Sequence, residues 1–176
     1  MSQIKVDSIV PRVGLPSGAK GGIIQTVSHT TNNTSDYNSS GSWSVITALD
    51  AAITIRGSGS SVLIMSSISG HNTMENGDIT WKLYRNAGSN VEIDVNSSPI
   101  GNSSSGIYPI MRGAGTRQGI RWNYTYLDTH GESVGTVITY RFGVQTESND
   151  FALNQPAQTN ARHTTTQSHV ILMEVN

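Results

Sequence analysis

Ile120-Arg121-Trp122-Asn123-Tyr124-Thr125-Tyr126 and Ile138-Thr139-Tyr140-Arg141-Phe142-Gly143-Val144 are the stretches on which the reading of this chain turns. In both, a large apolar or aromatic side chain stands at every second position, with polar residues or glycine between. That is the period of a β-strand with one buried face. These two strands hold five of the eleven large aromatics, which places them at the centre of the core.

The same period extends outward in both directions. Ile79, Trp81 and Leu83 alternate with Thr80, Lys82 and Tyr84, the pattern of a strand with one wet face. The turn Asn86-Ala87-Gly88-Ser89-Asn90 follows, and Val91–Val95 returns with Val91, Ile93 and Val95 inward and Glu92 and Asp94 outward. This is the clearest hairpin in the chain. Val62–Ile68 places Val62, Ile64 and Ile68 on one face and Leu63 and Met65 on the other. Gly22–Ser28, Trp43–Leu49, Ala51–Arg56 and the closing Val170–Val175 are further strand candidates. Polar stretches separate them: Thr30–Ser42, Gly57–Ser61, Asn96–Gly106 and Gln155–Gln167. Many short strands with Gly/Ser/Asn connections and no helical period predict an all-β antiparallel β-sandwich, jelly-roll-like, over residues 22–176.

Composition agrees and excludes several classes. Charged residues make up 13% of the 176, against about 25% in an ordinary soluble domain. Ser, Thr, Asn and Gly together supply 74 residues, and there are three lysines, too few for a helical bundle. A net charge of −1 offers no field for a phosphate backbone, so nucleic acid is not an expected partner. No apolar run reaches the ~18 residues of a membrane span, so membrane insertion is not expected. The absence of cysteine excludes disulfides, thiolate metal sites and thiol catalysis. A lean core of this kind, 35% hydrophobic, gains burial by association with copies of itself.

Chemistry-bearing residues form no convincing constellation. Asp128-Thr129-His130-Gly131-Glu132-Ser133 brings acid, base and hydroxyl together, but without a nucleophile elbow it reads as a polar turn. His163 and His169, six apart, lie about 20 Å from each other on an extended strand, too far to share a metal. Arg112–Gly119 is glycine-rich and basic but lacks the ending of a phosphate loop. The expectation is therefore a non-enzymatic protein with no catalytic residue, cofactor or metal. Of the tryptophans, Trp81 and Trp122 belong to alternating strands and to the core. Trp43 is the candidate ligand-contact residue, a ring able to stack on a sugar.

Residues 1–21 differ from the rest. Ile4, Val6 and Ile9 are followed by Pro11, Gly14, Pro16, Gly18 and Gly21, which leave no room for a helix or long strand. Such an arm is either a frayed terminus or a segment ordered by docking. Ile4, Val6, Ile9 and Pro11 favour docking, since the three aliphatic side chains would otherwise sit in water.

The two ends of the chain carry a more specific signal. Ile4-Lys5-Val6-Asp7-Ser8-Ile9-Val10-Pro11, then Gly21-Gly22-Ile23-Ile24-Gln25-Thr26-Val27, resembles the start of small bacteriophage (cyanophage-type) tail-fibre and virion-appendage proteins. Ser61-Val62-Leu63-Ile64-Met65, Ser69-Gly70, Leu83-Tyr84-Arg85-Asn86, Gly135-Thr136-Val137-Ile138-Thr139-Tyr140 and Ser168–Val175 resemble the strand motifs of that group in the same order. The resemblance implies a homotrimeric β-sandwich whose arm docks on other virion proteins while the head faces outward. It implies a virion location after assembly in the host cytoplasm, with host attachment through a surface glycan or protein. There is no repeat region between arm and head. That departure from long fibres leaves a short tail-fibre or spike-type appendage, a capsid decoration protein and a carbohydrate-binding recognition module as the functions to weigh.

Overall fold

A computed structural model describes residues 22–38, 42–72, 79–93, 119–146, 150–156 and 165–176. The arm, with Ile4, Val6, Ile9 and Pro11, lies outside the described residues, as does His163. The strands in chain order are β1 (Ile23–Thr31), β2 (Ser35–Asn38), β3 (Ser44–Val45), β4 (Ala51–Thr54), β5 (Ser61–Asn72), β6 (Ile79–Asn86), β7 (Asn90–Glu92), β8 (Gly119–Asp128), β9 (Val137–Thr146), β10 (Asp150–Leu153) and β11 (Ser168–Val175).

Their pairing is that of one long antiparallel hairpin rolled into two sheets. β6 pairs with β7, β5 with β8, β4 with β9 and β1 with β11, each pair enclosing the one before it. Two further pairings close the roll: β11 with β5, and β9 with β6. The first sheet therefore runs β1-β11-β5-β8, with β10 and β2 added beside the far end of β5. The second runs β4-β9-β6-β7, with β3 continuing the line of β4 along β9. This is a jelly roll, as the strand periodicity predicts.

The alternating residues face each other across the sandwich. Ile138, Tyr140, Phe142 and Val144 of β9 and Leu83 of β6 have no exposed surface, and Ile64, Val170 and Leu172 of the first sheet meet them. An aromatic cluster joins the layers. The Trp81 and Trp122 rings stack at 4.7 Å between centroids, Phe151 meets Trp81 edge-on at 4.9 Å, and Phe142 meets Trp122 edge-on at 5.8 Å. Tyr124 and Tyr126 continue the stack along β8. Because β8 lies at the edge of its sheet, those two tyrosines are only half-buried; β9, internal to its sheet, is the true centre.

The structure refines the strand reading in several places. Trp43–Leu49 is not one strand: after Ser44 and Val45, Leu49 N–H donates to Ile46 O at 2.9 Å and the chain turns through a 3₁₀ turn at Thr47–Leu49. Ile46 and Leu49 are thereby both buried although three residues apart. The polar stretch Thr30–Ser42 contains β2, whose Tyr37 stacks on Phe151 of β10 at 6.5 Å. The short run Phe151-Ala152-Leu153, unremarkable in the sequence, is fully buried. Ile93 packs against the core, whereas Val91 is 46% exposed because β7 is a free edge. Val95 and Asp94 lie outside the described residues.

Close approach sets one glycine. A Cβ on Gly70 would stand 2.5 Å from Ala152 O and from the Phe151 ring, so only glycine lets β10 close against β5. Gly70→Ala is expected to cost about 1–3 kcal/mol through displaced backbone, and Trp81→Ala about 3–5 kcal/mol through loss of the inter-sheet stack. Urea unfolding followed by tryptophan fluorescence checks the first, and by far-ultraviolet circular dichroism the second.

Candidate functional site

Burying a polar group requires hydrogen-bond partners, so the buried polar residues show where the chain spends its chemistry. They gather at the two ends of the sandwich. At one end, Glu174, Val62 and Asp128 stand side by side on the inner faces of β11, β5 and β8. Glu174 is fully buried and meets no cation among the described residues. Its carboxylate accepts from the backbone N–H groups of Arg56 (2.9 Å) and Gly57 (2.6 Å), from Ser60 Oγ (2.6 Å) and from Gln25 Nε2 (2.5 Å). Burial alone would raise its pKa; the bonds from Ser60, Gly57, Gln25 and Arg56 outweigh it and hold the carboxyl below the ordinary glutamate value. The effect is to clip the connection between β4 and β5 onto the last strand.

Asp128, 4% exposed, does the same across the layers. It receives Arg85 Nη1 at 2.9 and 3.2 Å and Tyr140 Oη at 2.9 Å, so it ties β8 to β6 and β9. Burial, with the Asp128 charge and hydrogen bond adding to it, pushes the Tyr140 phenol far above its usual range. Within the Asp128–Ser133 segment, Asp128 is thus bonded to Arg85 and Tyr140. His130, 6% exposed, accepts the Glu132 N–H on Nδ1 at 2.9 Å and leaves Nε2 without a partner.

At the opposite end Asn154 is the hub. Fully buried and left-handed (φ 53°), it donates from Nδ2 to Thr31 O (3.1 Å) and Asn33 O (3.0 Å). Its Oδ1 accepts Ser168 Oγ at 2.7 Å, and that hydroxyl in turn receives Ser69 N–H at 3.0 Å. Thr166 N–H donates to Asn154 O at 3.0 Å. This network sets the rim of an open groove of about 590 Å³, lined among others by Ser69, Arg121, Gln155, Thr166, Gln167 and His169. Arg121 is exposed there, with Nη2 3.4 Å from Gln167 O. Gln155 Nε2 donates to Asp36 at 2.8 Å, and His169 Nδ1 contacts Thr30 Oγ1 at 3.0 Å. One cation surrounded by hydroxyls and amides can hold a polar, hydroxyl-rich ligand by hydrogen bonds.

Trp43 lies elsewhere, on the outward side of the second sheet. Lys82 Nζ sits 4.4 Å from its ring centroid and also bonds Glu92 at 2.8 Å. The outward face read as wet at Lys82 is therefore covered: Lys82 is only 8% exposed. Beside it Tyr84 lies over Gly143, where a Cβ would meet the ring at 2.7 Å. Burial and the nearby Glu92 raise the Tyr84 pKa. One face of the indole is taken by Lys82, and Trp43 is not part of the groove.

The described histidines do not converge. His29 Nε2 contacts Ala48 O at 3.0 Å and His71 Nδ1 contacts Gln155 O at 3.2 Å, each a separate structural bond. Among the described residues no group of three His, Asp or Glu is placed to hold a metal. The sequence reading missed Glu174 and Asn154. Only a lone acid in an otherwise apolar strand, and an Asn after a short buried run, could have signalled them.

No family model matches the chain, and no curated protein matches it significantly. Among solved structures it is similar to the Eiger TNF of S. frugiperda, at 10% identity and a TM-score of 0.38, over 86% of this chain and 93% of that one. It is also similar to infectious bursal disease virus, Gx strain, at 12% identity and a TM-score of 0.41, over 94% of this chain and 44% of that one. The jelly-roll assignment rests on the strand order itself.

Two outcomes follow from the pinned ends. Glu174 contributes stability above the ordinary glutamate pKa of about 4.3, and that contribution disappears as pH falls through its lower folded value. Glu174→Gln should lower the urea midpoint at pH 7 and remove this part of the acid dependence below about pH 4.3, read from midpoints between pH 7 and 2. Asn154→Ala orphans the buried Thr31 carbonyl and should cost about 1–3 kcal/mol in urea unfolding.

Proposed function

We propose that this chain is a non-enzymatic structural protein of a bacteriophage particle. In this reading it is a short, self-associating tail-fibre or spike-type appendage that docks through residues 1–21 and presents its sandwich outward. The observation that carries it is where the buried polar chemistry goes: Glu174, Asp128 and Asn154 are consumed in holding the jelly roll shut. A rigid sandwich of low charge, preceded by an arm bearing Ile4, Val6 and Ile9, suits a part built for assembly rather than turnover. The motif resemblance at both ends supplies the phage context, and with it a trimeric state, a virion location and assembly in the host cytoplasm.

Gold-labelled antibody against the chain, viewed on intact particles by electron microscopy, is expected to mark the tail, collar or baseplate, with a few dozen copies or fewer per particle by quantitative mass spectrometry. Labelling spread over the capsid, with hundreds of copies, makes it a decoration protein instead. Unlabelled particles rule out a virion part of either kind.

The groove at Arg121, Gln155 and Gln167 supports a second reading, a carbohydrate-binding module for host surface glycans. Binding to a glycan array that Arg121→Ala abolishes, without change in thermal stability, supports it; no binding by the assembled protein counts against it.

A further inference from the structure

An antiparallel sheet in a sandwich ordinarily keeps one face apolar and one face polar. β5 and β11 do not. Along β5, Val62 and Ile64 face the core while Leu63 and Met65 face away from it; along β11, Val170 and Leu172 face the core while Ile171, Met173 and Val175 face away. The register aligns these outward residues in rows. One row reads Thr26, Met173, Leu63, Leu127; the next reads Ser28, Ile171, Met65, Thr125; the one after reads Thr30, His169, Ser67, Asn123. Leu127 is 50% exposed, and Leu63, Met65, Ile171 and Met173 are half-buried. No Asp, Glu, Lys or Arg stands in these three rows; the first charge, Arg121, comes beyond them at the groove.

The outward face of the other sheet is built differently. It carries paired charges, Lys82 bonded to Glu92 beneath Trp43 and the half-buried Arg141 bonded to Asp50 at 3.0 Å. The two faces belong to one small chain, so the lack of charge is local to the first.

We propose that the outward face of the β1-β11-β5-β8 sheet is the surface through which copies of this chain pack on each other. The inference rests on the self-association in the reading above and gives it a place. The occupant must be flat, twisted like a sheet, apolar at its centre and uncharged, because the face has no charge to meet one. A second copy of the same face has those properties: Leu63, Met65, Ile171 and Met173 form the centre, and the Thr26, Ser28 and Thr125 hydroxyls flank it. With strands about 4.8 Å apart and rows about 7 Å apart, the four central residues span roughly 130 Å², and the three rows across four strands roughly 400 Å². That patch is about half of one partner's share of an interface of standard size, about 800 Å² per partner, and forms its core.

Sedimentation velocity on the full chain tests it, with Met65→Glu, Ile171→Glu and Leu127→Glu as variants and Val137→Glu as control. Val137, 55% exposed, lies on the outward side of the second sheet. The unmodified chain and the control are expected at a multiple of 18.8 kDa. The three variants are expected at 18.8 kDa, with association weakened roughly 30-fold or more. Circular dichroism establishes that each variant is folded; if the two central substitutions unfold the chain, Leu127→Glu at the exposed edge decides. A folded Leu127→Glu or Met65→Glu variant that keeps the unmodified mass overturns this face as the interface while leaving self-association standing. An unmodified chain at 18.8 kDa throughout overturns self-association and the interface with it.

Discussion

The stack of Trp81 on Trp122 is the contact on which the rest of the molecule hangs. Trp81 belongs to the second sheet and Trp122 to the first, and their rings overlap at 4.7 Å in the middle of the sandwich. Phe142 and Phe151 close on the pair edge-on from either layer, so four rings fix the separation and the relative angle of the sheets. Aromatic pairs in these geometries add about 0.5–1.5 kcal/mol beyond the area they bury. In a chain with a lean apolar content, such concentration of contact is what makes two thin sheets one body.

Aromatic packing leaves the ends of the sandwich open, and there the protein uses polar side chains. Glu174 is held by neutral donors alone and Asp128 by a guanidinium and a phenol. Asn154 closes the opposite end with both its amide atoms bonded. Removing one partner from such a network leaves the others buried and unpaired, which costs more than the bond itself contributed. Glu174, Asp128 and Asn154 hold the ends shut, so part of the chain's small complement of charge lies inside.

The two outward faces then divide the surface. The second sheet carries charges in pairs on its outward side, with Trp43 laid over Lys82. The first shows rows of Leu, Met, Ile and Thr with no charge.

Much of this was legible before any coordinates. Period 2 in Ile120–Tyr126, Ile138–Val144 and Ile79–Tyr84 fixes both strand type and which side chains face the core, because a strand allows only two sides. The two-sided apolar pattern of Val62–Ile68 was equally plain. What the sequence could not decide was which strand lies beside which, since pairing in a rolled hairpin joins residues over a hundred positions apart, as Ile23 with Val175. For that reason the roles of Glu174, Asp128 and Asn154 were hidden: each is defined by partners such as Arg56, Arg85 and Thr31 that come together only in the fold. Trp43, the candidate ligand-contact residue, lies over Lys82 and apart from the groove, a placement that only the fold supplies. Local alternation determined that this is a β-sandwich; long-range pairing alone decided which polar groups hold it shut and which outward residues line up in rows.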